Sequence, residues 1–273
     1  MAIDSTLFAA DIPAGTYAKG DMIPLSVHTG PSVVRSGRGA ALLKRLTVGT
    51  VGNPSGSLSY WKVCVKNSDW IDEMQSLVSS IREPTSLDER SGNVQRGNDC
   101  PLTPNSSWEV YAVCMAASTT TVANSMFAII DVDYPSVSSI TDPDSLPGIP
   151  TTIEYEVPNA ITLNALGAMS SATWDAVNVD IFKAGYEYAL QKIEIIGSTG
   201  EEGFIALANA AGMGGLQRIM PISANSQNIR NKVEYATKLQ KGPMDIRYLM
   251  FTNTASPSTD TPNLMMDFVK RKL

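Results

Sequence analysis

With 273 residues, 43% of them hydrophobic, the chain can bury one large core or two modest ones, which argues against disorder over most of its length. A net charge of −6 argues against nucleic acid as the main partner, because duplex binding draws on a basic surface. Charged residues reach only 18%, below the usual quarter, as expected of a surface partly covered by other chains or of a β protein rich in Ser, Thr and Asn.

The opening residues, MAIDSTLFAADIPAG, lack the basic start and long apolar centre of a signal peptide. No apolar run approaches the ~20 residues of a membrane span. The expectation is a soluble protein made in a cytoplasm, with no membrane partner. Cys64, Cys100 and Cys114 are an odd number without CxxC spacing and read as small apolar side chains in a reducing compartment.

Taken in chain order, the elements are mostly strands. The turn-forming SGRG at 36–39 introduces a strand candidate, ALLKRLTV, at 41–48. YWKVCVK at 60–66 alternates Trp61, Val63 and Val65 with Lys62, Cys64 and Lys66, the pattern of a half-buried strand. Trp70, Met74, Leu77, Val78 and Ile81 fall at helical spacing, with Asp69 as N-cap and Pro84 beyond the end, so a short helix is expected near 69–82. The polar, Gly- and Pro-punctuated residues 83–107 read as an exposed loop. WEVYAVCM at 108–115 is apolar on both faces and SMFAIIDV at 125–132 is a nearly continuous apolar run; both suit strands buried within a sandwich.

Four prolines and four serines within PSVSSITDPDSLPGIP mark a linker at 135–150, dividing an N-terminal β-sandwich, 1–134, from a C-terminal β domain, 151–273. One long loop inside a single domain is the other reading. Beyond it, TIEYEVP at 152–158, YALQKIEII at 188–196 and GFIALANA at 203–210 read as strands. Residues 229–241 fit a helix stopped by Gly242-Pro243, or a strand turning at KGP into DIRYLMF. The strand reading also accounts for 244–251 and is preferred.

Two stretches look alike: SGRGAALLKRLTVGTVG at 36–52 and AGYEYALQKIEIIGSTG at 184–200. At a constant separation of 148 positions, Gly37 meets Gly185, Ala41 meets Ala189, Leu42 meets Leu190 and Lys44 meets Lys192. This suggests two copies of one β module. Against it, Leu46 then meets Glu194, so the inward and outward faces disagree in mid-strand.

Residue types that carry chemistry are sparse. His28 is the single histidine; a nucleophilic triad would have to use it, and LSVHTGPS offers no nucleophile motif, so it reads as a loop or edge residue. Asp131 and Asp133 share a strand face and suit an ion or an acid/base pair, or simply the solvent end of a buried strand. GMGG at 212–215 lacks the Lys and Ser/Thr of a phosphate loop and reads as a turn. Trp61, Trp70, Trp108 and Trp174 read as core. No catalytic residues, no cofactor and no metal are expected, and the chain does not read as an enzyme.

The segment TYAKGDMIPLSVHTGPSVVRSGRGAALLKRLTVGTVG followed by SYWKVCVKNSDW carries a YAxGD phrase, a GxG turn and two strand phrases. Over about residues 15–75 it resembles tailed-bacteriophage capsid auxiliary proteins, described as decoration or cement proteins. The resemblance implies a mainly β fold of two β-sandwich, jelly-roll-like modules. It also implies a virion protein on the capsid surface, synthesised in the host cytoplasm, whose partners are the major capsid protein and copies of itself. Arg35 and Arg38, and Met265, Met266 and Phe268 in the terminal NLMMDFVKRKL, are the candidate interface residues. That tail and residues 1–20 are either arms reaching neighbours or strands packed on their own domain. The alternatives are another virion component (major capsid, head-fibre base or tail protein) and a carbohydrate-binding β-sandwich with Trp174 or Tyr186 as stacking platform.

Overall fold

Strands sort alternate side chains onto opposite faces, so a chain with this much period-2 patterning closes its core by laying sheet against sheet. The computed structural model describes residues 2–51, 61–69, 77–80, 91–94, 100–121, 123–134, 149–156, 160–179, 186–196, 202–209, 217–223, 231–239, 244–252, 254–261 and 263–272. Among them the first half forms β1 (Ala2–Ile12), β2 (Gly15–Tyr17), β3 (Met22–Thr29), β4 (Ala41–Val51), β5 (Trp61–Asn67), β6 (Leu77–Ser80), β7 (Ser91–Val94), β8 (Cys100–Leu102), β9 (Trp108–Cys114), β10 (Ser118–Thr120) and β11 (Asn124–Tyr134). The second half forms β12 (Ile149–Glu156), β13 (Ile161–Asn164), β14 (Asp175–Val179), β15 (Tyr186–Ile196), β16 (Glu202–Asn209), β17 (Gln217–Ser223), β18 (Asn231–Leu239), β19 (Met244–Phe251), β20 (Ser258–Asp260) and β21 (Asn263–Lys272).

The pairing makes each half a jelly roll. In the first half one sheet runs β1–β11–β4–β7 and the other β3–β9–β5–β6, joined where β1 meets β3. In the second half the sheets run β12–β21–β15–β18 and β14–β19–β16–β17, with β13 and β20 extending the latter. Leaving aside the short β2, β8 and β10, and β13 and β20, each half places its strands in the order first–eighth–third–sixth opposite second–seventh–fourth–fifth. That is the double Greek key of a jelly roll, whose sheets fold over one core.

The two similar stretches are therefore the third strands, β4 and β15. Each bulges by one residue against its neighbour. Lys44 is extra between Arg45, paired with Asp131, and Leu43, paired with Val132. Gln191 is extra between Leu190, paired with Phe268, and Lys192, paired with Asp267. Aligning the bulges shifts the match by one position. It brings Leu46 beside Ile193 and Val48 beside Ile195, which removes the conflict of faces.

The first core holds Trp61, Val63 and Val65 of β5, Trp108, Val110 and Ala112 of β9, and Met126, Ala128 and Ile130 of β11. Tyr17 meets Trp61 edge-on, with ring centroids 5.0 Å apart. β11 is buried along its whole length because its other face is covered too. Phe127 and Ile129 lie opposite Ala9 and Leu7 of β1 in register, and these four pack against Phe204 and Ala206 of β16, Ile219 of β17, and Leu249 and Phe251 of β19. The outer face of the β1–β11–β4–β7 sheet thus seats on the outer face of the β14–β19–β16–β17 sheet. Each large apolar side chain removed from water there contributes about 1.5–3 kcal/mol.

Several expectations need correction. Residues 77–80 are the strand β6, paired with β5 from Val65↔Leu77 to Lys62↔Ser80, and not the end of a helix. Backbone pairing along the exposed edge of β5 overrides the helical spacing. Asp69 lies in the turn after β5, where its carboxylate accepts from the Thr103 amide (2.6 Å) and hydroxyl (2.5 Å). Residues 70–76 and 81–82 lie outside the described residues. The expected loop at 83–107 contributes β7 and β8, both of which pair with β4. WEVYAVCM is buried on one face only: on β9, Glu109 is exposed and Tyr111 and Val113 half-buried, between Trp108, Val110, Ala112 and Cys114. Of the linker, 135–148 lie outside the described residues and Ile149-Pro150 open β12; GMGG lies outside them as well.

Candidate functional site

The sequence-derived interface residues separate into two places. Arg35 faces inward: its Nε sits 2.8 Å from Oδ2 of Asp4, which is 1% exposed, and its backbone amide donates to the Tyr134 hydroxyl (3.0 Å). Burial pushes the Asp4 carboxyl up to about 6, against the pull of Arg35 and Arg38. The arginines thus sit over one end of the first core and offset a buried charge.

A raised folded pKa means the folded state holds more protons than the unfolded one between about 4 and 6. This group's contribution is fully present below 3.8 and is lost as pH rises through about 6. Asp4→Asn removes that titration. Between pH 7 and 4.5, wild type should gain about 2 kcal/mol on the variant, read from urea midpoints. A wild-type-minus-variant difference that does not change with pH would contradict this.

Met265, Met266 and Phe268 lie on β21, which runs between β12 and β15. Met266 and Leu264 are fully buried, and Met265 is half-buried. Of the two readings of the tail, the structure has the packed strand. Residues 2–12 are likewise β1, between β3 and β11.

What the sequence did not bring forward is the polar rim of the contact between the two jelly rolls. Asp11, near the end of β1, accepts from the amides of Met169 (2.8 Å) and Ser170 (3.1 Å), from the Ser170 hydroxyl and from the Ser125 hydroxyl (2.6 Å). Met169–Ser171 is a single 3-10 turn. His28 of β3 meets the Ala172 carbonyl through Nε2 (3.0 Å), and the Trp174 indole N–H donates to its Nδ1 (3.2 Å). His28 is thus a strand residue engaged on both ring nitrogens, not a loose edge histidine. Trp174 is half-buried against the shared apolar layer, so its N–H and one flank are committed. Tyr186 opens β15, and its side chain lies outside the described residues. Asp131 and Asp133 are buried on β11, with Ser5 donating to Asp131 (2.5 Å), and do not form a solvent-facing pair.

Among the described residues, the outer face of one sheet of the first jelly roll carries exposed apolar side chains. On the β3–β9–β5–β6 sheet, Met22 and Pro24 of β3 lie opposite Val113 and Tyr111 of β9. Met22 is 51% exposed and Met115, just past β9, 39%. Lys62 and Lys66 of β5 are half-buried beside them. In the second jelly roll the equivalent face is the one covered by the first.

The molecule is a tandem of two jelly rolls. No known protein family matches the sequence, and no curated protein matches it. Solved structures with some likeness include the infectious bursal disease virus VP2 subviral particle, at 10% identity over 99% of this chain and 76% of that one, with a TM-score of 0.24. Broad bean stain virus gives 8% identity over 99% and 88%, with a TM-score of 0.26. The tandem CBM51 modules of a family 98 glycoside hydrolase from Streptococcus pneumoniae give 9% identity over 96% and 99%, with a TM-score of 0.25. At these TM-scores the likenesses carry no functional inference.

Proposed function

We propose that this chain is a capsid decoration protein of a tailed bacteriophage, whose work is adhesion to the major capsid lattice rather than catalysis. Jelly rolls host many functions, so the fold alone does not decide. The observation that carries the reading is the asymmetry between equivalent faces. The β14–β19–β16–β17 face is used as a seat for another sheet, while its counterpart on the first jelly roll presents, among the described residues, the exposed Met22 and Met115 and the half-buried Tyr111 beside lysines. Apolar anchors within a polar surround are the composition of a protein interface. The phage-like phrases at 15–75 lie in that same jelly roll and supply two of the sheet's four strands, β3 and β5.

In this reading the first jelly roll docks by that face, and the second is held outward by the shared apolar layer. Repetition over a symmetric lattice turns many modest contacts into firm attachment, because each bound copy raises the effective concentration of the next contact. The test is co-sedimentation of the purified protein with phage heads that lack it. Saturable binding is expected, and Met22→Asp with Met115→Asp should weaken it at least tenfold while leaving the fold intact. No binding, with assembly of the protein into shells or rings instead, would overturn the decoration role in favour of another virion component.

A further inference from the structure

The chain's single histidine sits where the two jelly rolls meet, and its partners leave it one protonation state. A carbonyl oxygen only accepts, so His28 Nε2 must carry a hydrogen to bond Ala172 at 3.0 Å. An indole N–H only donates, so Nδ1 must be bare to receive Trp174 at 3.2 Å. The ring is therefore neutral, with its tautomer set from both sides. The imidazolium would turn Nδ1 into a donor facing another donor.

We propose that His28 makes the junction between the two jelly rolls responsive to acid, with protonation releasing Trp174 and loosening the 172–174 edge of the contact. The inference is independent of the decoration role. The group of opposite charge acting on His28 is Asp11 of β1, which favours the imidazolium. Its carboxylate is already shared among Met169, Ser170 and Ser125. On the other side, Ala172 and Trp174 bring no charge, and the neighbouring Asp175 carboxylate accepts from the Thr162 amide at 2.5 Å.

Burial outweighs Asp11 and the Ala172 bond and lowers the His28 pKa below 6.5. The unfolded or opened state then binds more protons than the closed one, so the junction's stability is whole above 6.5 and declines as pH falls toward the lowered folded value. The response is a local loosening on the Trp174 side, and each jelly roll stays folded.

The test is an NMR titration of the full chain from pH 8 to 5, in which one histidine gives one unambiguous ring signal. Trp174→Phe assigns the indole N–H. The proposal expects a His28 midpoint below 6.5, and solvent exchange of the Trp174 indole N–H, corrected for its intrinsic pH dependence, to speed at least tenfold over the same range. His28→Gln, whose amide can both accept and donate, should abolish that acceleration. A Trp174 signal that stays unmoved while His28 titrates would overturn the proposal. So would an unchanged acid response in His28→Gln. If that variant does not fold, the wild-type titration decides alone.

Discussion

Phe127→Ala and Phe204→Ala are each expected to destabilise the protein by about 3–5 kcal/mol, the range for emptying a buried phenylalanine site. The two rings are nearly fully buried in the layer between the jelly rolls and meet edge to face, with centroids 4.8 Å apart at 83°. The first jelly roll does not need Phe127 for its own interior, since β11 fills that core with Met126, Ala128 and Ile130 from its opposite face. Their loss should therefore strike the contact. Because the rings share one site, the double variant should cost less than the sum, with a coupling of about 0.5–1.5 kcal/mol. Urea unfolding of the four proteins measures it. Additive costs below about 1 kcal/mol each would mean that the outer faces do not depend on one another.

Gly167→Ala should be comparably harmful through a different cause. Gly167 has φ +72°, a backbone region that costs a residue with a Cβ about 1–2 kcal/mol. An added Cβ would also lie 2.6 Å from the Ala123 Cβ and 2.8 Å from its carbonyl carbon, both on the first jelly roll. Overpacking of that kind adds about 1–3 kcal/mol, so a total of about 2–5 kcal/mol is expected in denaturant melts. Ala123→Gly in the same chain should recover only part of it, since the backbone contact and the φ penalty persist. Full recovery would place the whole cost in the side-chain clash, and no cost at all would contradict the close approach.

Much of the fold is legible in the residues because local patterning and tertiary burial agree. Trp61, Val63 and Val65 alternate inward on β5 as their spacing demands, and the unbroken run Ser125–Val132 reflects a strand covered on both faces. The resemblance between 36–52 and 184–200 was a sign of equivalent strands. Its mid-strand conflict came from a bulge, which sequence spacing alone does not reveal. Leu77 and Val78 suit helix or strand equally, and only the open edge of β5 decides between them. Ser91–Val94 and Cys100–Leu102 carry turn-forming residues and no period, because short edge strands are held by backbone pairing with β4. The junction was illegible for another reason. Asp11 and Ser170, or His28 and Trp174, are joined across the whole first jelly roll, and single polar residues carry no pattern that foretells such pairing.

Electron cryomicroscopy of phage heads saturated with the protein tests the decoration role most directly. The account predicts paired jelly-roll blocks at symmetry-related positions on the outer capsid surface, with the β3–β9–β5–β6 face of the first jelly roll against the shell and the second outward. A bare exterior, or density confined to the shell itself, the portal or the tail, would contradict it.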